Sequence, residues 1–209
     1  MAKLQVERVI LGMIQTNSWF AVNKETKEVI FIDPADGAEK IFEKVEKMGL
    51  KPAAILLTHG HFDHIGAVDK VRKQYGISCY AHETETEVLE NPSYNCSARY
   101  GRGYTVQADH LLKDRQVLTL AGMEIHVLHT PGHTQGCVCY YFPEDGVLFA
   151  GDTLFQSSIG RTDLPTGSMS ALVRSARRLL EKLPEETEVY PGHGGTTTIG
   201  WEKKYNPFL

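Results

Sequence analysis

Residues 58–64, Thr-His-Gly-His-Phe-Asp-His, form the stretch of sequence that decides the fold. They place three imidazoles and one carboxylate within six positions, directly after the apolar run 53–57. Imidazole nitrogen and carboxylate oxygen are ligands that zinc, iron and manganese accept. A histidine-rich solvated loop would not explain three later ligand-type residues, each of which follows a short apolar run and a turn that contains glycine: His133, Asp152 and His193. The pattern therefore predicts that the chain binds metal.

The spacing of the first ligand-type residues indicates two metal positions. His59 and His61 lie two residues apart on an extended segment, so both can point to one side and share an ion with His133. Asp63 and His64 project differently, toward a second position. Open-sided sites with mixed nitrogen and oxygen ligands are catalytic in type, whereas closed structural zinc sites favour thiolates.

Two residues from the second half of the chain complete the predicted pair of sites. His193 can supply the remaining ligand of the second position. Asp152 has two hard oxygens and is predicted to bridge two cations, which in such sites lie about 3.5–4 Å apart. We therefore expect two divalent metal ions, with zinc favoured and with iron or manganese also compatible with these ligands.

Length and charge limit the remaining possibilities. At 209 residues and with no linker, repeat or low-complexity tract, a single domain over residues 1–209 is predicted. A net charge of −4 gives no electrostatic reason to expect nucleic acid or an anionic membrane as partner. No apolar run has the length of a transmembrane helix, and the first residues lack the apolar core of a signal peptide. We expect a cytoplasmic monomer or small homo-oligomer that acts on a small molecule.

The four cysteines are too few and too scattered for a secreted disulfide scaffold. Cys137 and Cys139 alternate along a predicted strand, while Cys79 lies in another strand and Cys96 in a loop. Ordinary reduced thiols are expected, and a redox or metal-binding role is the alternative.

Alternating apolar runs predict short strands, and apolar residues at helical spacing predict the helices between them. The predicted strands are 4–9, 18–22, 28–33, 53–58, 77–81, 117–120, 123–129, 137–142, 147–150 and 188–190. The predicted helices are 38–48, 65–75, 83–90 and 169–183. The segment 91–109 is rich in Tyr, Arg and Gly without a clear period, and we expect a loop or lid there. Strands with interspersed helices indicate α/β or α+β layers, with two sheets covered by helices.

Five motifs resemble, in their order along the chain, those of the metallo-β-lactamase-fold superfamily, in particular its glyoxalase II-like branch. They are Thr-His-Gly-His-Phe-Asp-His (58–64), His-Thr-Pro-Gly-His-Thr-Gln-Gly (129–136), Gly-Asp-Thr-Leu-Phe (151–155), Gly-Arg-Thr-Asp (160–163) and Pro-Gly-His-Gly (191–194). The resemblance implies a four-layer αββα sandwich with the site at one edge of the paired sheets. It also implies the same ligand roles: His59, His61 and His133 on one metal, Asp63, His64 and His193 on the other, and Asp152 shared.

Two departures from the glyoxalase II pattern narrow the resemblance. The sequence ends soon after His193, so the C-terminal helical domain that helps to hold glutathione in those enzymes has no counterpart in it. Arg161 stands where a Lys is usual and Asp163 where a Tyr is usual among glutathione contacts. The chain therefore resembles the short, single-domain glyoxalase II-like proteins. The resemblance does not identify the thiol carrier of the substrate.

The resemblance implies hydrolysis of a thioester such as S-lactoylglutathione or a related thiol adduct. In that reaction a metal-bound hydroxide, held through Asp63 and Asp152, attacks the carbonyl, and a thiolate with a pKa near 8.5 leaves without a strong general acid. The alternatives are a persulfide dioxygenase-like oxidoreductase with a single iron, and hydrolysis of another ester or amide on the same fold. A lactamase of the commonest zinc type is disfavoured, because a Cys ligand is expected where Asp152 stands.

Arg161 is the best candidate for binding a substrate carboxylate, because guanidinium is always charged and makes bidentate contacts. A salt bridge with Asp163 or Asp109 is an equally good interpretation of Arg161. Arg99 and Arg102 can supplement it, although a solvated loop is the simpler interpretation of their segment.

The remaining histidines and three aromatic residues are expected to have structural or surface roles. Of these, His129 is close enough to the motifs in sequence to support a ligand. The full set is His82, His110, His126, His129, Trp19, Tyr104 and Phe155.

Overall fold

Two six-stranded sheets form the centre of the structure, a computed structural model that describes residues 3–101 and 103–209. The first sheet contains, in order, β1 (Leu4–Leu11), β2 (Thr16–Asn23), β3 (Glu28–Ile32), β4 (Lys51–Leu56), β5 (Ser78–His82) and β6 (His110–Leu112). Across the second sheet the order is β14 (Thr197–Thr198), β13 (Glu188–Pro191), β10 (Val147–Gly151), β9 (Val138–Phe142), β8 (Met123–His129) and β7 (Val117–Leu120). Two short strands, β11 (Leu154–Phe155) and β12 (Ser158–Ile159), pair separately.

Helices lie between the strands along the chain. They are α1 (Ala38–Met48), α2 (Phe62–Ile65), α3 (Val68–Tyr75), α4 (Thr86–Leu89), α5 (Met169–Lys182) and α6 (Ile199–Tyr205), together with two 3-10 helices, Glu83–Glu85 and Ser97–Tyr100. In α1 the buried residues Ala38, Ile41 and Val45 recur at helical spacing, and the helix ends at Gly49 with a φ of 62°. The Ser168 side chain caps α5 by accepting a hydrogen bond from the backbone N–H of Ala171.

Alternation along β3 shows how the layers form. Ile30 and Ile32 face the second sheet and join a buried cluster that includes Val127 and Phe149. Phe31 points the opposite way, into a cluster with buried residues of α1 and α3. A third cluster joins the second sheet to α5. The resulting order of helices, sheet, sheet and helices confirms the predicted four-layer sandwich.

Parallel pairing brings the ligand-bearing turns to one edge of the sandwich. β3, β4 and β5 are parallel neighbours, and β10 is parallel to β13. Because the carboxyl ends of parallel strands meet at the same edge of a sheet, the turns that follow them are adjacent. Residues 58–64 follow β4, Asp152 follows β10 and His193 follows β13.

Short elements are where the structure differs from the sequence-based expectation. The predicted helix 65–75 is two helices, α2 and α3, separated at Gly66 and Ala67, and the predicted helix 83–90 begins as a 3-10 helix. A Cβ on Gly66 would lie 2.4 Å from the carbonyl oxygen of Ala35, so the chain passes too close there for a side chain. The sequence did not predict β6, β11, β12, β14 or α6, which are too short to produce a clear periodicity.

The described part of the segment 91–109 is a loop, as its composition predicts, with one short 3-10 helix in it. It contains the 3-10 helix Ser97–Tyr100, and its Asn95 carbonyl oxygen accepts a hydrogen bond from the Phe62 N–H at 2.8 Å. The Tyr104 hydroxyl donates to the Phe62 carbonyl oxygen. Arg102 lies outside the described residues. Both backbone groups of Phe62 are therefore held by this segment, which supports the turn that carries the predicted ligands.

Two further features concern the cysteines and the helices. All four cysteines are buried free thiols, as expected of reduced residues. Within residues 3–101 and 103–209, no helix is long and apolar enough to cross a membrane.

Candidate metal centre

One half of the centre is the three-histidine cluster, which consists of His59, His61 and His133. His59 and His61 lie in the turn after β4, and His133 lies in the loop after β8. One ring nitrogen of each histidine lies within 4.8 Å of the others, and all three side chains are buried. Nε2 of His59 has no hydrogen-bond partner among the described residues.

The other half is the carboxylate–histidine cluster, which consists of Asp63, His64 and His193. Helix α2 carries Asp63 and His64 in consecutive positions, and His193 follows β13. Their ligand atoms also lie within 4.8 Å of one another. The His193 side chain is 26% exposed, so this cluster is more accessible to solvent than the buried three-histidine cluster.

Asp152 lies between the two clusters, directly after β10. Its Oδ2 lies 3.5 Å from Nε2 of His133 and 3.6 Å from Nε2 of His193. Its Oδ1 lies 3.5 Å from Nε2 of His64. One carboxylate thus faces both clusters, as a bridging ligand requires. The structure brings all seven predicted ligands together.

Hydrogen bonds outside the centre fix the orientation of two rings. His133 Nδ1 donates to the carbonyl oxygen of Arg161 at 2.8 Å, because a carbonyl can only accept. His64 Nδ1 lies 2.9 Å from Oδ2 of Asp33. Both contacts leave Nε2 of the ring facing the centre, which is how histidine ligands are usually supported.

The inward-facing atoms fit a cation. His61 Nδ1 and His133 Nε2 are 2.8 Å apart, and the Nε2 atoms of His64 and His193 are 3.3 Å apart. Oδ1 of Asp152 is buried without a hydrogen-bond partner in the described part of the chain. A buried carboxylate oxygen without a hydrogen-bond partner is costly unless a positive centre lies beside it. Imidazole and carboxylate donors in this arrangement are suited to divalent zinc, iron or manganese.

The two clusters differ in their electrostatics. Burial lowers the pKa of each ring in the three-histidine cluster. Neighbouring imidazoles reinforce this effect at His59 and His61, whereas Asp152 and the hydrogen bond to Arg161 oppose it at His133. Burial also opposes a charge on His64, but Asp63 and Asp152 outweigh it and raise the pKa of His64 to about 10. Burial is outweighed at Asp63 too, since His64 and His193 hold the pKa of this carboxyl well below its usual range. The first cluster is therefore made of neutral rings, whereas the second holds charged groups.

Asp33 supports the centre, although no motif in the sequence identifies it. Asp33 directly follows β3 and is buried, and its backbone φ is 51°. Oδ1 accepts from the Thr58 N–H at 2.8 Å, and Oδ2 accepts from the Thr58 hydroxyl at 2.6 Å in addition to its contact with His64. Asp33 therefore fixes both the start of the ligand turn and the His64 ring.

A cavity of about 640 Å³ opens in front of both clusters and Asp152. Ile14, Phe155 and Leu164 form an apolar part of its wall. Phe155 was expected in core or loop packing rather than at a substrate site, and it lines this cavity. Trp19 is buried between the sheets, which agrees with the expected packing role. The cavity can therefore accept an apolar group next to the metal ligands.

Two arginines line the same cavity with different partners. Arg161 forms a bidentate pair with Asp163, at 2.7 Å and 2.6 Å, so the salt-bridge interpretation of this residue is the one that the structure shows. Asp109 pairs with Arg72 instead, at 3.0 Å. Among the described residues, no carboxylate pairs with Arg99. Arg99 is close enough to Asp163 to contribute to the lowered pKa of that carboxyl, but the ion pair of Asp163 is with Arg161.

The histidines outside the clusters have structural contacts. His129 Nε2 donates to the carbonyl oxygen of Gln135 at 2.9 Å, and its ring stacks on His82 with centroids 4.1 Å apart. His129 therefore supports the loop that carries His133. Two histidines contact neighbours away from the centre: His110 and His126.

Comparisons with known proteins agree with this geometry. Residues 11–193 match the family model of the metallo-beta-lactamase superfamily. The probable metallo-hydrolase YqgX of Bacillus subtilis (strain 168) is 40% identical over 205 residues, 97% of this chain and 96% of the relative. The hydroxyacylglutathione hydrolase GloC of Haemophilus influenzae is 36% identical over 212 residues, 99% of this chain and 98% of the relative.

Solved structures are similar over nearly the whole chain. The crystal structure of BLEG-1 B3 metallo-beta-lactamase has a TM-score of 0.93 and 47% identity, covering 98% of this chain and 99% of its own. TTHA1623 in a di-iron-bound form has a TM-score of 0.87 and 38% identity, with coverages of 97% and 100%. ETHE1 from Myxococcus xanthus is more distant, with a TM-score of 0.81, 26% identity and coverages of 97% and 83%.

Proposed function

The chain belongs to the metallo-β-lactamase superfamily and is a metal-dependent hydrolase, and we propose that it hydrolyses thioesters with two divalent metal ions. The observation that carries the proposal is the pair of ligand clusters that share Asp152 and face one cavity. The GloC relative, named as a hydroxyacylglutathione hydrolase, supports a thioester substrate. The di-iron form of TTHA1623 supports two ions, and we propose zinc or iron as the metals.

Bound at these clusters, the ions would supply a water of lowered pKa and a Lewis acid for the carbonyl oxygen. Asp63 and Asp152 place carboxylate oxygens at the wall of the cavity, where they can accept a hydrogen bond from the attacking water and orient it. Oδ2 of Asp63 is held by the Thr16 hydroxyl at 3.0 Å, which fixes its orientation. Six of the seven ligand-type residues are at least 85% buried in the fold, so the reacting groups are held by packed elements rather than by mobile side chains.

The leaving group distinguishes a thioester from an amide. A thiolate with an unperturbed pKa near 8.5 departs without a strong acid, whereas the nitrogen of an amide needs a proton as it leaves. The polar side chains that line the cavity are those of the two clusters, Asp152, Cys96, Tyr100 and two arginines. A thioester needs none of them as a proton donor, so we propose a thioester rather than an amide.

Arg99 is the residue to which we assign the binding of a substrate carboxylate. Arg161 was the sequence-based candidate for a substrate carboxylate, but its guanidinium is engaged by Asp163. Arg99 lines the same cavity, and no carboxylate pairs with it in the described part of the chain. We therefore assign the carboxylate of an anionic thiol carrier, such as glutathione, to Arg99 rather than to Arg161.

The test combines metal analysis with a substrate panel. Protein purified without added metal is analysed for its elements and assayed with S-lactoylglutathione, a pantetheine thioester, a chromogenic cephalosporin and glutathione persulfide, with and without dioxygen. We expect two ions per chain and thiol release that does not need dioxygen. Oxygen consumption with the persulfide and one iron per chain would instead identify a dioxygenase. A larger kcat/KM for the cephalosporin than for either thioester would identify a lactamase, as the name of the BLEG-1 structure suggests.

A further inference from the structure

Glu85 is a buried carboxylate that belongs to neither ligand cluster. It ends the 3-10 helix Glu83–Glu85 and is 1% exposed. Oε1 accepts from the Gly60 N–H at 2.7 Å, and Oε2 accepts from the Gly136 N–H at 2.9 Å. The Thr134 hydroxyl lies 3.0 Å from Oε1 and 2.8 Å from Oε2. No cation pairs with Glu85 within residues 3–101 and 103–209.

The donors belong to the two loops that form the three-histidine cluster. Gly60 lies between His59 and His61, while Thr134 and Gly136 follow His133. One rigid carboxylate therefore joins the turn after β4 to the loop after β8, through a backbone N–H on each side.

Close packing shows that the contact depends on small residues. A Cβ on Gly136 would lie 2.4 Å from the backbone nitrogen and 2.5 Å from Oε2 of Glu85. A Cβ on Gly60 would lie 3.1 Å from Leu89, one turn further along the same segment. Both loops thus reach the segment of Glu85 only because glycine stands at the point of contact.

The position of Glu85 has an energetic cost that a purely structural residue could avoid. Burial raises the pKa of Glu85 to about 8, against the effect of its hydrogen bonds. An apolar side chain would fill the space without this desolvation. What an apolar side chain would not do is hold two N–H groups from different loops at a fixed separation.

We propose that Glu85 is a positioning residue that fixes the separation of His61 from His133 and so sets the metal affinity of the three-histidine cluster. Their facing nitrogens, 2.8 Å apart, lie on the two loops that Glu85 joins. The carboxylate–histidine cluster is held by other groups, since Asp33 contacts His64 and the segment 91–109 contacts Phe62. The inference rests on the metal binding of the proposed function but not on its substrate.

The test measures metal affinity one cluster at a time. His193→Ala leaves the three-histidine cluster as the better site, and His133→Ala leaves the carboxylate–histidine cluster. Glu85→Gln is added to each background, and Co²⁺ and Zn²⁺ affinities are measured by competition with a chelator. Gln keeps one acceptor oxygen but turns its NH₂ toward the other N–H, so one of the two loops loses its partner.

We expect Glu85→Gln to weaken binding about 10- to 100-fold in the His193→Ala background, with a change in the d–d spectrum of bound Co²⁺. Binding in the His133→Ala background should stay within about twofold, a change of roughly 0.4 kcal/mol. The matched control is Glu87→Gln, which removes another carboxylate of the same segment. The Glu87 carboxylate lies at the surface and accepts a hydrogen bond from the Gln135 side chain at 3.1 Å. The control should leave both affinities unchanged.

Three results would overturn the inference: unchanged affinity of the three-histidine cluster, an equal loss in both backgrounds, or an equal effect of Glu87→Gln. If Glu85→Gln does not fold, Thr134→Val replaces it, because this variant removes the hydroxyl contacts with Glu85 and Cys137 and keeps both backbone contacts of Glu85. We then expect a smaller loss of metal affinity that is still confined to the three-histidine cluster. If the affinity loss is not confined to that cluster, the positioning role of Glu85 is refuted. Absence of metal binding in the unmodified protein would refute the metal centre itself, which is a distinct outcome.

Discussion

The two ligand clusters lie side by side, yet the fold holds them in different ways. The three-histidine cluster is buried, consists of rings whose pKa is lowered by burial, and joins two loops that Glu85 connects. The carboxylate–histidine cluster borders solvent through His193 and contains charged groups, with its His64 ring held by Asp33. We therefore expect the first cluster to depend on the spacing of its loops and the second on the charges around it.

Substitution of Asp152 should affect both clusters alike, because the oxygens of this residue face both. Asp152→Ala should weaken both metal sites and lower kcat by more than the roughly 100-fold that loss of a group supporting a ligand costs. The sheets should still form, since Asp152 lies in a turn beyond β10. Metal counting and thioester turnover measure the effect, and circular dichroism checks the fold. A variant with two ions and an unchanged rate would contradict the bridging role.

Single ligand substitutions should separate the clusters. His133→Ala and His193→Ala should each reduce the metal content from two ions to one. The ion that remains in His193→Ala should resist a chelator longer than the ion that remains in His133→Ala, because its ligands are buried and need not release a proton. Elemental analysis after timed dialysis gives both results. Retention of two ions in His193→Ala would show that this residue is not a ligand.

Asp33→Asn should affect mainly the carboxylate–histidine cluster, as the counterpart of Glu85→Gln. The amide keeps one oxygen but loses the charge that orients the His64 ring, so affinity at this cluster should fall about 10- to 100-fold. The effect is measured in the His133→Ala background, with the thermal midpoint recorded because Asp33 also binds Thr58. A larger loss at the three-histidine cluster would show that Asp33 acts through the start of the turn instead of through His64.

The sequence predicts the ligands of both clusters better than it predicts their supports. Ligand-type residues occur in dense motifs at strand ends, and the paired sheets bring all seven together. Asp33 and Glu85 act through hydrogen bonds to residues 25 or more positions away, so no local spacing identifies them. The role of segment 91–109 depends in the same way on contacts with Phe62, which its composition does not reveal.

Which side chains pair with each other in the cavity is also not visible in the sequence. The sequence offered Arg161 as a carboxylate anchor and a salt bridge as its alternative, and only the folded chain shows the bidentate contact with Asp163. Phe155 was assigned to packing because a single aromatic residue after a strand gives no signal of a cavity wall.

The smallest expected effect concerns the cavity that both clusters share, and it separates the two arginines. The carbonyl of Arg161 holds His133, a contact that Arg161→Ala preserves, while its guanidinium is already paired. Arg161→Ala should therefore change KM for S-lactoylglutathione little. Arg99→Ala should raise this KM about tenfold if the lost contact contributes 1.4 kcal/mol equally in the ground and transition states, and kcat should not change. A pantetheine thioester carries no carboxylate, so its KM should be the same in both variants and the unmodified protein. An equal rise in KM for both substrates would show that Arg99 shapes the cavity rather than binding an anion, and a rise confined to Arg161→Ala would return the anchor to that residue.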